Sequence, residues 1–202
     1  MLTEGAAREL IAESTSVLTH DMERVSPRLW RRPLTDEHWA TLSISAWKGA
    51  GNTLTYGVSC AWVPHLVGRQ WRWHRTAKQA RADITIDHWA ADAPDFVNIS
   101  WLDPPDVIRR QSLRAADKLG PDATSWWSKV ATIEGVSAEA DHQAAIAGQF
   151  LPHMQITAAF THARLGRRDR GAQVLRSIDW LATDSDLLAG AIAKLNGVAE
   201  LR

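Results

Sequence analysis

The chain holds a single cysteine, Cys60, among its 202 residues. An intramolecular disulfide is therefore excluded, and a chain of this length buries roughly 70% of its unfolded surface without needing one. A lone thiol fits a reducing, cytoplasmic setting. Net charge is also missing: Lys+Arg and Asp+Glu both number 23. Such a balance argues against a dedicated nucleic-acid or membrane-surface protein, while leaving room for a local patch. The opening residues MLTEGAAREL carry charge and no apolar signal core, so no targeting signal is expected. The uncharged stretch from Gly49 to Gly68 contains several glycines, Asn52 and Pro64. It alternates like a strand and reads as a hairpin arm, not a membrane span.

Catalytic fingerprints are missing as well. There is no G-x-S-x-G, no phosphate loop and no dinucleotide fingerprint. Eight histidines contain no H-x-x-x-H pair, and no C-x-x-C exists, so no metal site is assigned. His142 and His153 lie too far apart along a helix to share one ion. Asp141 and His142 are neighbours whose side chains point about 100° apart on a helix, which separates a base from its orienting acid. Cys60 falls on an apolar strand face and reads as an inert, buried thiol. No catalytic residue and no cofactor are assigned.

What is present is ordinary in amount and orderly in pattern. Hydrophobic residues make up 45% and charged residues 23%, the mix of a folded domain. Residues 4–25 read as a helix capped by Thr3, with Leu10, Ile11, Val17, Leu18 and Met22 on one stripe. Pro27 ends it, and an extended piece follows at 28–32. Residues 38–47 and 53–63 both alternate around a Gly-rich loop, Lys48–Asn52. Setting Trp47 against Thr53 matches Ala46 with Leu54, Ile44 with Tyr56, Leu42 with Val58 and Ala40 with Cys60. A one-residue slip would mix the faces. Further strands are expected at 84–89 and 96–101, giving an antiparallel sheet of four or five strands.

From Asp103 onward the period is helical. Asp103 reads as an N-cap with Pro104 at the first helical position, and Gly120-Pro121 as the stop. Asp122 then opens a helix holding Trp126 and Trp127 and ending at Gly135. Later helices begin at Ser137 (interrupted by Pro152 and closing near Gly166), at Arg168 and at Ser185. Helix, sheet and helices in sequence predict an α+β fold. We read 1–202 as one domain, with helix plus antiparallel sheet over 1–102 and a helical part over 103–202 packed on it.

The run from the Trp39–Trp62 hairpin through Trp126-Trp127 to Phe150-Leu151-Pro152 and its following helix resembles a family. It is similar to a set of uncharacterised bacterial α+β domains, some of which occur beside polymorphic toxins and act as immunity-like proteins. The resemblance covers roughly residues 5–165 and implies an N-terminal helix before an antiparallel sheet. Its matching residues are structural and imply no catalytic role. Residues 159–175 also look like one helix hairpin of a tetratricopeptide-type repeat, which alone forms no solenoid.

The family pattern is silent on the most suggestive segment. Arg69, Arg72, Arg75, Lys78 and Arg81 recur every third residue, with Trp71, Trp73 and His74 between them. Guanidinium forks bind phosphate or carboxylate, and indoles stack on planar groups. Arg69, Trp71, Arg72, Trp73, His74 and Arg75 are therefore the candidate binding residues. An opposing reading is structural. Six aspartates at 83, 87, 92, 95, 103 and 106, with no cation from 82 to 108, could neutralise the basic block across adjacent strands, or meet a basic partner such as a nuclease toxin. Eleven tryptophans point mainly to packing, with Trp39 and Trp47 flanking the hydroxyl face of the hairpin. A second basic cluster, Arg164 to Arg170, lies at a helix junction where arginines could bond the last carbonyls of the preceding helix. The expected function is a non-catalytic protein-binding domain, immunity-like toward a toxin. Its alternative is a small-molecule or anion-binding domain, or an enzyme, using 69–81.

Overall fold

The computed structural model describes residues 2–46, 51–73, 82–86, 98–147 and 152–198. Helix α1 (Glu4–Ser14) starts where Thr3 Oγ1 accepts the Ala6 N–H at 3.2 Å. It buries Ala7, Leu10 and Ile11 and gives way to a single turn, α2 (Ser16–Thr19), not to one long helix. The chain then turns into β1 (Glu23–Ser26) and β2 (Leu29–Pro33).

The main sheet is antiparallel, in the order β1-β2-β3-β4-β7. Here β3 is His38–Ala46, β4 is Gly51–Cys60 and β7 is Ile84–Ile86. Strand β8 (Ile99–Ser100) pairs with the far end of β4. A separate hairpin joins β5 (His65–Val67) to β6 (Gln70–Arg72). The β3–β4 faces are as the alternation predicts: Ala40, Leu42, Ile44, Leu54, Val58 and Cys60 are all buried. The register is not. Leu42 pairs with Tyr56 and Ile44 with Leu54, two residues away from the sequence-based pairing. A shift of two keeps every side chain on its own face, so the apolar pattern does not separate the two registers. The observed one joins hydroxyls across the strands, with Ser43 Oγ 2.6 Å and Ser45 Oγ 3.1 Å from Thr55 Oγ1. Trp47 and the loop at 47–50, residues 87–97 with the expected turn, and residues 199–202 lie outside the described residues.

The helical half departs from the sequence pattern at its start. Pro104, not Asp103, occupies the cap of α3 (Pro105–Lys129), and Pro105 stands in the first turn. Helix α3 runs straight through Gly120-Pro121. A proline inside a helix costs one backbone bond, roughly 3 kcal/mol. The apolar stripe Leu119, Ala123, Trp126, Trp127 spans the break and is buried on both sides of it, which offsets that loss. Gly120 has its own reason: a Cβ there would stand 3.0 Å from Leu18 Cδ2 of α2. Helix α4 (Ile133–Ala147) begins before Gly135 instead of after it. A Cβ at Gly135 would meet the Lys129 carbonyl at 1.9 Å, so only glycine turns this tight α3–α4 corner. Then come α5 (Pro152–Arg164), α6 (Arg168–Arg176), α7 (Asp179–Ala182) and α8 (Ser185–Gly197).

Indole and imidazole groups tie this half to the sheet. Trp127 Nε1 donates to the Gly57 carbonyl at 3.0 Å, and Trp62 Nε1 to Thr161 Oγ1 at 3.1 Å. Tyr56 meets the rings of Trp126 and Trp127 edge-on. Burial, aided by the charges of Asp122 and Glu139, pushes its phenol up to about 12. The buried carboxylate Asp83 accepts the Cys60 N–H at 2.7 Å, so one member of the acidic block is a structural group in the core.

Candidate functional site

The basic-aromatic segment docks on α8. Arg69 Nη2 lies 2.6 Å from Asp184 Oδ2. Trp71 Nε1 donates to the Leu187 carbonyl at 2.9 Å, and Gly190 lies against the Trp71 ring, where a Cβ would stand 3.1 Å away. The Lys194 ammonium stands 5.0 Å over the ring of Trp73. Partners at 69, 71 and 73 thus advance along α8 from 184 to 194. A strand rises about 3.3 Å per residue and a helix about 1.5 Å, so the two paths match in length when the strand runs parallel to the helix axis.

Each side chain has a distinct place. Trp71 is 8% exposed and packs on Phe160 of α5, so it is an anchor. Trp73 is half-buried, with its ring against the edge of Phe160 at 6.0 Å. Arg72 is exposed and, among the described residues, donates only to Gln70 Oε1, at 3.3 Å. Arg69 is 71% exposed along its side chain. His74 and Arg75 lie outside the described residues. Between this strand and α8 runs an open groove of about 580 Å³, lined by Arg69, Trp71, Trp73, Asp186, Gly190 and Lys194. Asp184 also caps α8, its Oδ1 accepting the Leu187 N–H at 3.1 Å. That N–H first, and Arg69 second, hold its carboxyl below the usual value.

Asp87, Asp92 and Asp95 lie outside the described residues, and among those described the partner of Arg69 is the cap of α8 and not the other 83–106 aspartates. Of those, Asp83 serves the core and Asp106 lies 4.0 Å from Arg110. Sequence reasoning found the strand wall of the groove and missed the helix wall. Gly190, Lys194 and Gly197 do recur at helical spacing, but nothing local says that this face meets residue 71.

Other polar groups inside the molecule are strut-like. His162 Nε2 lies 3.1 Å from Asp141 Oδ1, joining α5 to α4, so Asp141 is paired with a residue 21 positions away and not with His142. Arg164 forms a two-pronged ion pair with Glu37. His38 is fully buried. Its Nε2 donates to the Val130 carbonyl at 3.1 Å, which leaves Nδ1 to accept from Thr35 Oγ1 at 2.7 Å. Burial pulls its pKa below the usual 6.5. Among the described residues no three His, Cys, Asp or Glu side chains are grouped to hold a metal, and no helix is long and apolar enough to cross a membrane. No family model matches the chain, and no curated protein and no solved structure matches it.

Proposed function

We propose that this chain is a non-catalytic protein-binding domain, immunity-like toward a toxin, that meets its partner along the groove between β6 and α8. The observation that carries the reading is the groove itself. Its strand wall carries in order an exposed guanidinium, Arg69, an indole locked in place by its own hydrogen bond, Trp71, and a half-exposed indole, Trp73, under the Lys194 ammonium. Tryptophan and arginine dominate the energetics of protein interfaces, above all where a rigid support holds them. The immunity-like part rests on the family resemblance.

The test is a titration of the protein with the product of the gene beside its own. A complex is expected, and Arg69→Ala combined with Lys194→Ala should weaken it about tenfold or more with an unchanged melt. A complex indifferent to both changes would refute the groove, and no complex at all would refute the reading. A second reading has its own support. The groove falls within the roughly 300–1,000 Å³ of small-molecule sites, and both of its cations suit an anion. A melting temperature raised by planar phosphates or carboxylates, and lost with Lys194→Ala, would favour it.

A further inference from the structure

Helix α6 begins with Arg167, Arg168 and Arg170, all exposed. Arginines after a helix commonly close its last carbonyls, but here the backbone does so. The Arg167 N–H donates to the His162 carbonyl at 2.8 Å and the Gly166 N–H to the Ala163 carbonyl at 3.0 Å, around Gly166 at φ +77°. Among the described residues the three guanidiniums make no hydrogen bond and no ion pair. Their position also works against the helix, since cations at an N-terminus oppose the macrodipole. Only Asp169 stands among them.

The fold places them beside the groove. A Cβ at Gly171 would stand 2.9 Å from Leu195 Cδ1 of α8 and 2.4 Å from the Ala159 carbonyl of α5. The start of α6 therefore lies at the end of α8. Lys194, next to Leu195, faces Trp73 on the other flank of that helix. The first turn of α6 and the Lys194 end of the groove thus adjoin α8 at neighbouring positions, although nearly a hundred residues separate the two basic segments in sequence.

We infer that this end of the molecule is the docking surface for an acidic segment of a protein partner, gripped by Arg167, Arg168 and Arg170 and continued by Lys194 into the groove. The inference rests on the protein-binding reading above. Carboxylates are the fitting occupant. Free guanidinium forks bind them two-pronged. A single strand of nucleic acid gains affinity by stacking its bases on open aromatic faces, and Trp73 already has Lys194 over its ring and Phe160 against it in a T-shaped contact. Asp169 and Asp186 would also interrupt a continuous phosphate track.

The experiment uses the full chain and two labelled probes of equal charge, an oligoglutamate peptide and a single-stranded oligothymidylate. The peptide should bind, more weakly as salt rises from about 20 to about 200 mM. Arg167→Glu, Arg168→Glu and Arg170→Glu together should weaken it about tenfold or more, while reversing Arg109 and Arg114, exposed on α3 and unpaired among the described residues, should change it less than about twofold. Equal losses in both variants would overturn the inference, and so would tighter binding of oligothymidylate than of the peptide. The two proposals fail differently. A natural partner bound equally well by the α6 triple variant sinks this surface alone, whereas absence of any protein complex sinks the broader reading.

Discussion

Trp71 and Trp73 stand two residues apart and do different work. Trp71 is enclosed and its indole N–H is spent on the Leu187 carbonyl. Its loss leaves a cavity and an unpaired carbonyl, so Trp71→Ala should lower stability by about 3–5 kcal/mol, read by urea unfolding. Among the described residues Arg72 hydrogen-bonds only to Gln70. Arg72→Ala should stay within about 0.5 kcal/mol in the same assay, and a larger loss would mean that this arginine is structural. His38 gives a prediction in pH. It is neutral and doubly hydrogen-bonded in the fold, with a pKa lowered by burial from 6.5. Below that value the unfolded chain takes up a proton that the folded one resists, so stability rises with pH through this window and falls as pH drops below about 6.5. Melting temperatures between pH 5 and 7.5 should therefore slope upward, about these pH values, and His38→Gln should flatten the slope. An unchanged slope would assign the effect to other groups.

At the scale of elements, glycines with no room for a side chain mark where strands and helices meet. A Cβ on Gly57 would stand 2.2 Å from the Ile84 carbonyl and 2.7 Å from Ala82 Cβ. Gly57→Ala should push β7 off β4 and cost about 3 kcal/mol, and a variant as stable as the parent would show that this edge is not fixed by Gly57. The same elements explain what could be read from sequence. The inward face of β3 and β4 was legible because alternation has only two phases, and the register was not because a shift of two preserves them. The helix start at Thr3, the break at Pro152 and the turn at Gly166 were legible because each is a local backbone preference. The passage of α3 through Pro121 was not, since burial of Leu119, Ala123 and Trp126 against distant elements overrides a local breaker. The candidate site was half legible for the same reason. Charge and aromatic spacing show in residues 69–73, whereas their wall on α8 depends on contacts more than a hundred residues away.

Across the whole molecule, hydrogen bonds of very long range hold sheet and helices together. Side chains of His38, Trp62, Trp71 and Trp127 each reach a partner 70 to 116 residues away. One cluster of buried apolar side chains extends from Ala7 to Val198, through both halves of the chain. Neither half can lose its partner without exposing Trp62, Trp127 or Phe160 to water, and a buried aromatic contributes several kcal/mol, roughly 3–5 by truncation. Partial unfolding is therefore costly at every place where the chain could divide. The expected outcome is a single cooperative transition in urea. Tryptophan fluorescence, reporting indoles such as Trp30 in the sheet and Trp126 in α3, should coincide with far-ultraviolet circular dichroism, reporting mainly the helices. The β6–α8 contact is the most peripheral of these links, being bordered by an open groove. Trp71→Ala should therefore be the variant to separate the curves, if any does. A parent protein that unfolds in two steps, helices before sheet, would mean that the long-range hydrogen bonds contribute less than the packing within each half.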